Sequence, residues 1–185
     1  MNRHVMARTV LLGLVITGAG TSRAFAAESV GIERAQVNGM DLVAFFHGEW
    51  DVESLTADGR TVIGRARTVV SPILDGRALQ ADYLGLDPGG NVVFRGTTIR
   101  TWVPATERFT IHWVVAGQAD YTYLIEEYRD GELHAEGHGV DGAGEFLERY
   151  RYFDISDTTY SFEGTRSRDG GVTWQPFAKL RATKR

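Results

Sequence analysis

The stretch YTYLIEEYRDGELHAEGHG (residues 121–139) decides the fold class of this chain. Polar and apolar residues alternate on either side of Asp130 and Gly131, and a period of two is typical of strands with one buried face. An Asp-Gly pair supplies the positive φ angles that a tight hairpin turn needs. The glycines at 137 and 139 disfavour a helix at this position. The segment therefore predicts two antiparallel strands joined by a short turn.

Similar turn signals recur at regular intervals from Gly48 onward. They separate segments rich in Val, Thr, Tyr, Phe and Trp, residue types that favour strands. The predicted strands are residues 49–56, 61–71, 77–86, 91–102, 108–115, 119–128, 132–140, 144–153, 158–168 and 172–183. Only residues 38–46 have a helical pattern, with Asn38 as a candidate N-cap.

Consecutive hairpins of similar length predict an antiparallel meander. A meander of about ten strands protects its edges by closing into a barrel. We therefore predict an all-β fold, an up-and-down barrel with a short N-terminal helix; a two-sheet β-sandwich is the alternative. A barrel of this strand number is wide enough to leave an internal cavity, which favours a ligand-binding function.

The N-terminal residues have the pattern of an export signal. Arg3 and Arg8 precede the apolar stretch TVLLGLVITGAG, which is too short to span a bilayer, and Ala24–Ala26 forms a small-x-small cleavage site. We predict a signal peptide over residues 1–26 and a periplasmic or secreted mature protein; a retained N-terminal anchor is the alternative.

Two further segments complete the predicted organisation. Residues 27–47 form an N-terminal segment that contains the short helix, and residues 48–185 form a single barrel domain. The whole chain has a formal net charge of −4, and loss of the signal peptide removes three arginines and no acid. This negative charge disfavours binding to nucleic acid, whose phosphates are also negative. The chain has no cysteine, which excludes disulfides and thiolate chemistry.

The spacing of the histidines in residues 132–139 places their side chains differently on a strand than on a helix. His134, Glu136 and His138 would share one face of the strand. Two-residue turns at Asp-Gly and at Gly117-Gln118 would form a row of His112, Tyr123 and His138 across three strands. The same registers would form a second row of Arg108, Glu127 and His134. A three-residue turn with a glycine bulge fits the sequence as well and would break both rows.

The orientation of these rows follows from the opposite face of the same strands. That face is the more apolar one, with Phe109, Ile111, Trp113, Val115, Leu124 and Leu133. Apolar bulk favours this face for the interior, which would leave the histidine rows as solvated surface. The reverse orientation stays open, because binding cavities combine apolar walls with a few polar groups.

An inward-facing row would support acid–base chemistry. The candidate catalytic residues are then His112, Tyr123 and His138. The candidate ligand-binding residues are Arg100, Trp113 and Glu136, and an inward Arg100 would suit a ligand carboxylate. Histidines beside a carboxylate are also compatible with a divalent metal, but we predict neither a metal site nor a cofactor.

Two short motifs resemble known families. FFHGEWDVES (45–54) resembles the Gly-x-Trp opening of calycin-type barrels, and SRDGGVTWQPFAKLRATKR (167–185) is similar to the Asp-Gly-Gly-x-Thr-Trp ending of an exported bacterial family of unknown function. The resemblance implies a calycin-like barrel of the fatty-acid-binding or nitrobindin-like kind, in which Trp50 packs across the closed end. We expect Trp174 to be buried near the same end. The resemblance to nitrobindin-like barrels does not extend to a haem site, because the sequence has no histidine after His138.

Three functions are compatible with these observations. The first is an exported barrel that binds a small, largely apolar or aromatic ligand in its cavity. The second is a cofactor-free lyase, isomerase or hydratase that uses histidine acid–base chemistry there, and the third is an envelope protein without a ligand. The expected partner is a small-molecule ligand or substrate. We expect no nucleic acid partner, no integral membrane segment after signal removal, and a monomer or homodimer.

Overall fold

The protein is a closed antiparallel β-barrel. The structure, a computed structural model, describes residues 38–185, so the predicted signal peptide and residues 27–37 lie outside the described residues. Ten strands follow one another around the barrel in sequence order, and the first pairs with the last. The strands are β1 (Gly48–Leu55), β2 (Val62–Ile73), β3 (Ala78–Leu86), β4 (Val92–Val103), β5 (Arg108–Val115), β6 (Tyr121–Arg129), β7 (Glu132–Asp141), β8 (Gly144–Phe153), β9 (Thr159–Ser167) and β10 (Gln175–Lys184). The predicted up-and-down barrel is confirmed, and the sandwich alternative is excluded.

The turn at Asp130 and Gly131 sets the register of β6 and β7. Both residues have positive φ angles, 53° and 81°, as a two-residue hairpin turn requires. Arg129 therefore pairs directly with Glu132. The prediction of a two-residue turn is confirmed, and the three-residue alternative is wrong at this hairpin.

A short 3₁₀ helix, Gly39–Phe46, closes one end of the barrel. The Asn38 side chain accepts a hydrogen bond from the Met40 amide at 3.2 Å, so the predicted N-cap is confirmed. The apolar side of the helix packs against residues at the ends of several strands: Trp50, Leu79, Phe109, Leu133, Tyr160 and Ala182. These contacts form the main core of the protein.

Trp50 anchors this closed end. Its side chain is fully buried, and its indole Nε1 donates a hydrogen bond of 2.7 Å to the carbonyl of Phe46. Burial removes a large aromatic surface from water, and the hydrogen bond satisfies the only polar atom of the ring. The predicted packing of Trp50 across the closed end is confirmed.

Trp174 does not share this environment, so the prediction that it is buried near the closed end is wrong. It lies in the turn before β10, at the opposite end of the barrel, and is only partly buried. Its ring lies under the Arg149 guanidinium, 3.9 Å from ring centroid to Cζ. The Asp169 carboxylate accepts hydrogen bonds from the amide and the hydroxyl of Thr173. These bonds hold the Asp-Gly-Gly-x-Thr-Trp segment as a turn, so β10 begins at Gln175 and not at residue 172.

Candidate functional site

The barrel encloses a cavity of about 330 Å³. It begins at Phe46 of the N-terminal helix and extends to Ile63 and Phe177 near the other end of the barrel. Ile63 and Phe177 are exposed, so the cavity reaches the surface there. Its aromatic lining consists of Phe46, Tyr83, Trp113, Tyr150, Tyr152, Tyr160, Phe162 and Phe177. A cavity of this size and character is typical of sites for small organic ligands.

Arg100 is the most deeply buried charged group of the cavity wall. Its Nε and Nη2 donate hydrogen bonds of 2.6 and 3.0 Å to the two carboxylate oxygens of Glu126. The side chains are 5% and 0% exposed, respectively. Burial acts to lower the pKa of Arg100, but the Glu126 carboxylate more than offsets this effect, and the pKa lies above its usual value. The Arg100 guanidinium is therefore charged, and the Glu126 carboxylate is its hydrogen-bonded partner.

Four tyrosines contribute hydroxyl groups to the cavity region. Burial raises the pKa of Tyr83, Tyr150, Tyr152 and Tyr160 above its usual value, so all four stay protonated at neutral pH. The Tyr150 hydroxyl donates to the Glu148 carboxylate. The tyrosines therefore supply hydroxyl groups without adding negative charge.

A second group of paired charges, of which only Glu148 is fully buried, lies closer to the open end. Glu148, which is 1% exposed, accepts two hydrogen bonds from Arg166, from Nε at 2.9 Å and from Nη2 at 2.6 Å. Arg166 also donates to Asp141 at 2.8 Å. The buried Glu148 charge is thus compensated by the partly exposed Arg166.

The residues expected to bind a ligand occupy different faces of the wall. Arg100 and Trp113 both line the cavity. Glu136 lies on the outer face of β7, where its carboxylate accepts a hydrogen bond of 2.8 Å from the exposed Arg149. The structure therefore brings two of the three candidates together and leaves the third on the surface.

The predicted row of His112, Tyr123 and His138 exists. Tyr123 pairs with His112 on β5 and with His138 on β7, and the ring centroids are 5.0 and 5.9 Å apart. The row faces outward, because the alternate residues Ile111, Leu124 and the other apolar residues of these strands fill the interior. None of the three side chains lines the cavity. The structure thus does not assemble the expected acid–base set inside the barrel.

The second row also lies on the outer wall. Arg108 and Glu127 form an ion pair of 3.6 Å, and His134 lies 3.0 Å from the Glu132 carboxylate. Arg108, Glu127 and His134 border a broad surface depression of about 880 Å³. Within residues 38–185, no three histidine or acidic side chains are grouped so that they could hold a metal ion.

Sequence reasoning missed Glu126 and Tyr160. Glu126 shares a face of β6 with the buried Leu124, so the period of two would have placed it inside the barrel. An acidic residue on an apolar face is then a signal for a buried cation partner. Tyr160 gives no comparable signal, because its neighbours are defined only when the barrel closes around the helix.

Comparison with known proteins gives no indication of function, so the function is inferred from the fold and the cavity. No protein-family model matches the chain, and no curated protein matches it either. The closed ten-stranded antiparallel barrel is consistent with a calycin-like fold. In the part of the chain that the structure describes, no helix has the length and apolar character needed to cross a membrane.

Proposed function

We propose that this protein binds a small, largely apolar or aromatic ligand in the barrel cavity. The observation that carries the proposal is the cavity of about 330 Å³ with its lining of aromatic rings and tyrosine hydroxyls. Transfer of an apolar ligand from water to such a wall is favourable, and the hydroxyl groups can orient one polar atom of the ligand.

Export and family membership belong to the same proposal. The pattern of residues 1–26 supports removal of a signal peptide and a periplasmic or secreted location. The Gly-x-Trp opening and the Asp-Gly-Gly-x-Thr-Trp ending support a calycin-like barrel of an exported bacterial family. A binding protein outside the cytoplasm would meet its ligand without membrane passage.

The enzyme hypothesis receives less support from the site. It required a histidine inside the cavity, but no histidine among residues 38–185 lines it. The candidate acid–base residues His112 and His138 lie on the outer wall. Ligand binding needs only the cavity itself, and it is therefore the function that the geometry supports best.

A neutral fluorescent probe tests the proposal. N-phenylnaphthylamine should bind the mature protein with a stoichiometry of about one, because one small aromatic molecule fills a cavity of this size. Ala81→Phe places a ring in the cavity and should abolish the binding, since Ala81 lines the wall. Val69→Phe adds the same ring to an exposed position on β2 and should leave binding intact. Absence of probe binding to the folded wild-type protein would contradict the proposal.

A further inference from the structure

The cations that line the cavity are already paired within the protein. Arg100 is held by two hydrogen bonds to Glu126, and Lys179 lies 2.8 Å from the Glu163 carboxylate. No other cationic side chain among the described residues borders this cavity. An anionic ligand would therefore enter a wall in which every positive charge already has a carboxylate partner.

The charge of Arg100 is already compensated by Glu126. Both Nε and Nη2 are engaged by Glu126, and one side of the guanidinium is covered by the Phe46 ring, with Cζ 4.6 Å from the ring centroid. Removing a carboxylate from water is costly unless a free cation or several donors compensate it. Nη1 and one Nη2 hydrogen are not used by Glu126, but a ligand carboxylate that bound there would meet a guanidinium whose charge Glu126 already compensates.

Tyr160 offers the opposite situation, a polar atom without a partner. Its side chain is 7% exposed, and it lines the cavity. Trp50 and Phe46 hold its ring at centroid distances of 4.8 and 5.2 Å. Among residues 38–185 nothing forms a hydrogen bond with its hydroxyl, whereas the Tyr150 hydroxyl is engaged by Glu148. No fully buried side-chain nitrogen or oxygen among the described residues lacks a hydrogen-bond partner, so the Tyr160 hydroxyl is open to the cavity that it lines. A polar ligand atom in that cavity is a suitable partner for it.

We infer that the cavity selects uncharged ligands over anionic ones and binds one polar atom of the ligand through the Tyr160 hydroxyl. The inference rests on the proposed function and specifies its ligand class, which is small aromatic alcohols, phenols or ketones. Such ligands bury an apolar body against the aromatic wall and need one hydrogen bond. They require no free counter-charge.

Three probes with the same ring test the charge selectivity. Naphthylmethanol, naphthoate and ethylnaphthalene present a neutral polar group, an anion and no polar group, and each can displace N-phenylnaphthylamine from the protein. The wild-type protein should bind naphthylmethanol about tenfold or more tightly than naphthoate, because the carboxylate loses its hydration without gaining a free cation. Equal affinity, or tighter binding of naphthoate, would overturn the inference but leave ligand binding intact. Failure of all probes to bind would overturn the proposed function itself.

Substitution of Glu126 should invert the selectivity. Glu126→Gln releases the Arg100 guanidinium, so the affinity for naphthoate should rise about tenfold while that for naphthylmethanol changes little. Glu53→Gln is the matched control, because it breaks the outer ion pair with Arg181 and should change neither affinity. Unchanged naphthoate affinity in folded Glu126→Gln would refute the role of the pair. If that variant does not fold, the affinity ratio of the wild-type protein still decides the inference.

Tyr160→Phe tests the polar contact separately. It keeps the ring and removes the hydroxyl, so naphthylmethanol should bind about fivefold to tenfold more weakly, whereas ethylnaphthalene should be unaffected. An equal effect on both probes, or no effect on either, would show that Tyr160 contributes no hydrogen bond to the ligand.

Discussion

The Arg100 guanidinium and the Glu126 carboxylate meet inside the barrel through hydrogen bonds of 2.6 and 3.0 Å, although β5 separates their strands. The pair lies beside the Phe46 ring of the N-terminal helix. It therefore connects the wall of the barrel to the helix that closes it. Of the two residues, Arg100 lines the cavity.

Removal of one partner of this pair should destabilise the protein strongly. Arg100→Met leaves the Glu126 charge buried without compensation, and we expect a loss of about 3–5 kcal/mol in the free energy of unfolding. The double variant with Glu126→Met should lose much less than the sum of the two single variants. Urea denaturation of the three variants measures this coupling. Additive losses would mean that the two side chains do not act as a pair.

Trp50→Ala should cost about 3–5 kcal/mol, as other large-to-small changes in protein cores do. Trp50 is fully buried and supports the closed end, whereas Trp174 is partly exposed in the turn before β10. Trp174→Ala is therefore the control, with an expected loss well below that of Trp50→Ala. The same denaturation experiment compares the two variants. A loss below about 1 kcal/mol for Trp50→Ala would show that the closed end does not depend on this side chain.

His112→Ala and His138→Ala should leave ligand affinity unchanged, because both side chains lie on the outer wall. Their effect on stability should be small, about 0.5 kcal/mol or less for the exposed His138. Probe titration and urea denaturation measure the two quantities. Loss of probe binding in either folded variant would place the ligand at the histidine row and not in the cavity.

Asp169 should remain ionised to unusually low pH. The Thr173 hydroxyl and amide and the Ser167 hydroxyl donate to its carboxylate and hold its pKa well below the usual value. Because the pKa is lowered in the folded state, the stabilising contribution is present above the pKa of the unfolded chain. It is lost as the pH falls through the folded pKa. Carboxyl NMR titration should show this, and Thr173→Val should move the pKa of Asp169 upward; an unchanged value would contradict the assignment.

The strand order of the barrel could be predicted because short turn motifs in the sequence mark the ends of the strands. Pairs such as Asp130-Gly131 specify the hairpin geometry locally, and local geometry then fixes the register of the neighbouring strands. The start of β10 was misplaced because Asp169 binds the backbone and hydroxyl groups of the following residues. Such a side-chain contact extends the turn without altering the pattern of apolar residues.

The site was only partly predictable. Arg100 and Trp113 were expected in the cavity, and both line it. The partner of Arg100 was missed, since Glu126 lies 26 positions further along the chain and reaches it across an intervening strand. The free hydroxyl of Tyr160 depends on the helix and on β1, which meet it only in the closed barrel. Contacts of this kind are set by tertiary packing and have no local sequence signal.

The central claim is that the cavity is the ligand site, and a crystal structure of the mature protein with bromonaphthylmethanol tests it most directly. The anomalous signal of the bromine locates the ring without reference to the rest of the density. We predict one bromine site inside the barrel, with the ligand hydroxyl within hydrogen-bond distance of the Tyr160 hydroxyl. Bromine bound only on the outer wall, beside His112 and Tyr123, would contradict the account.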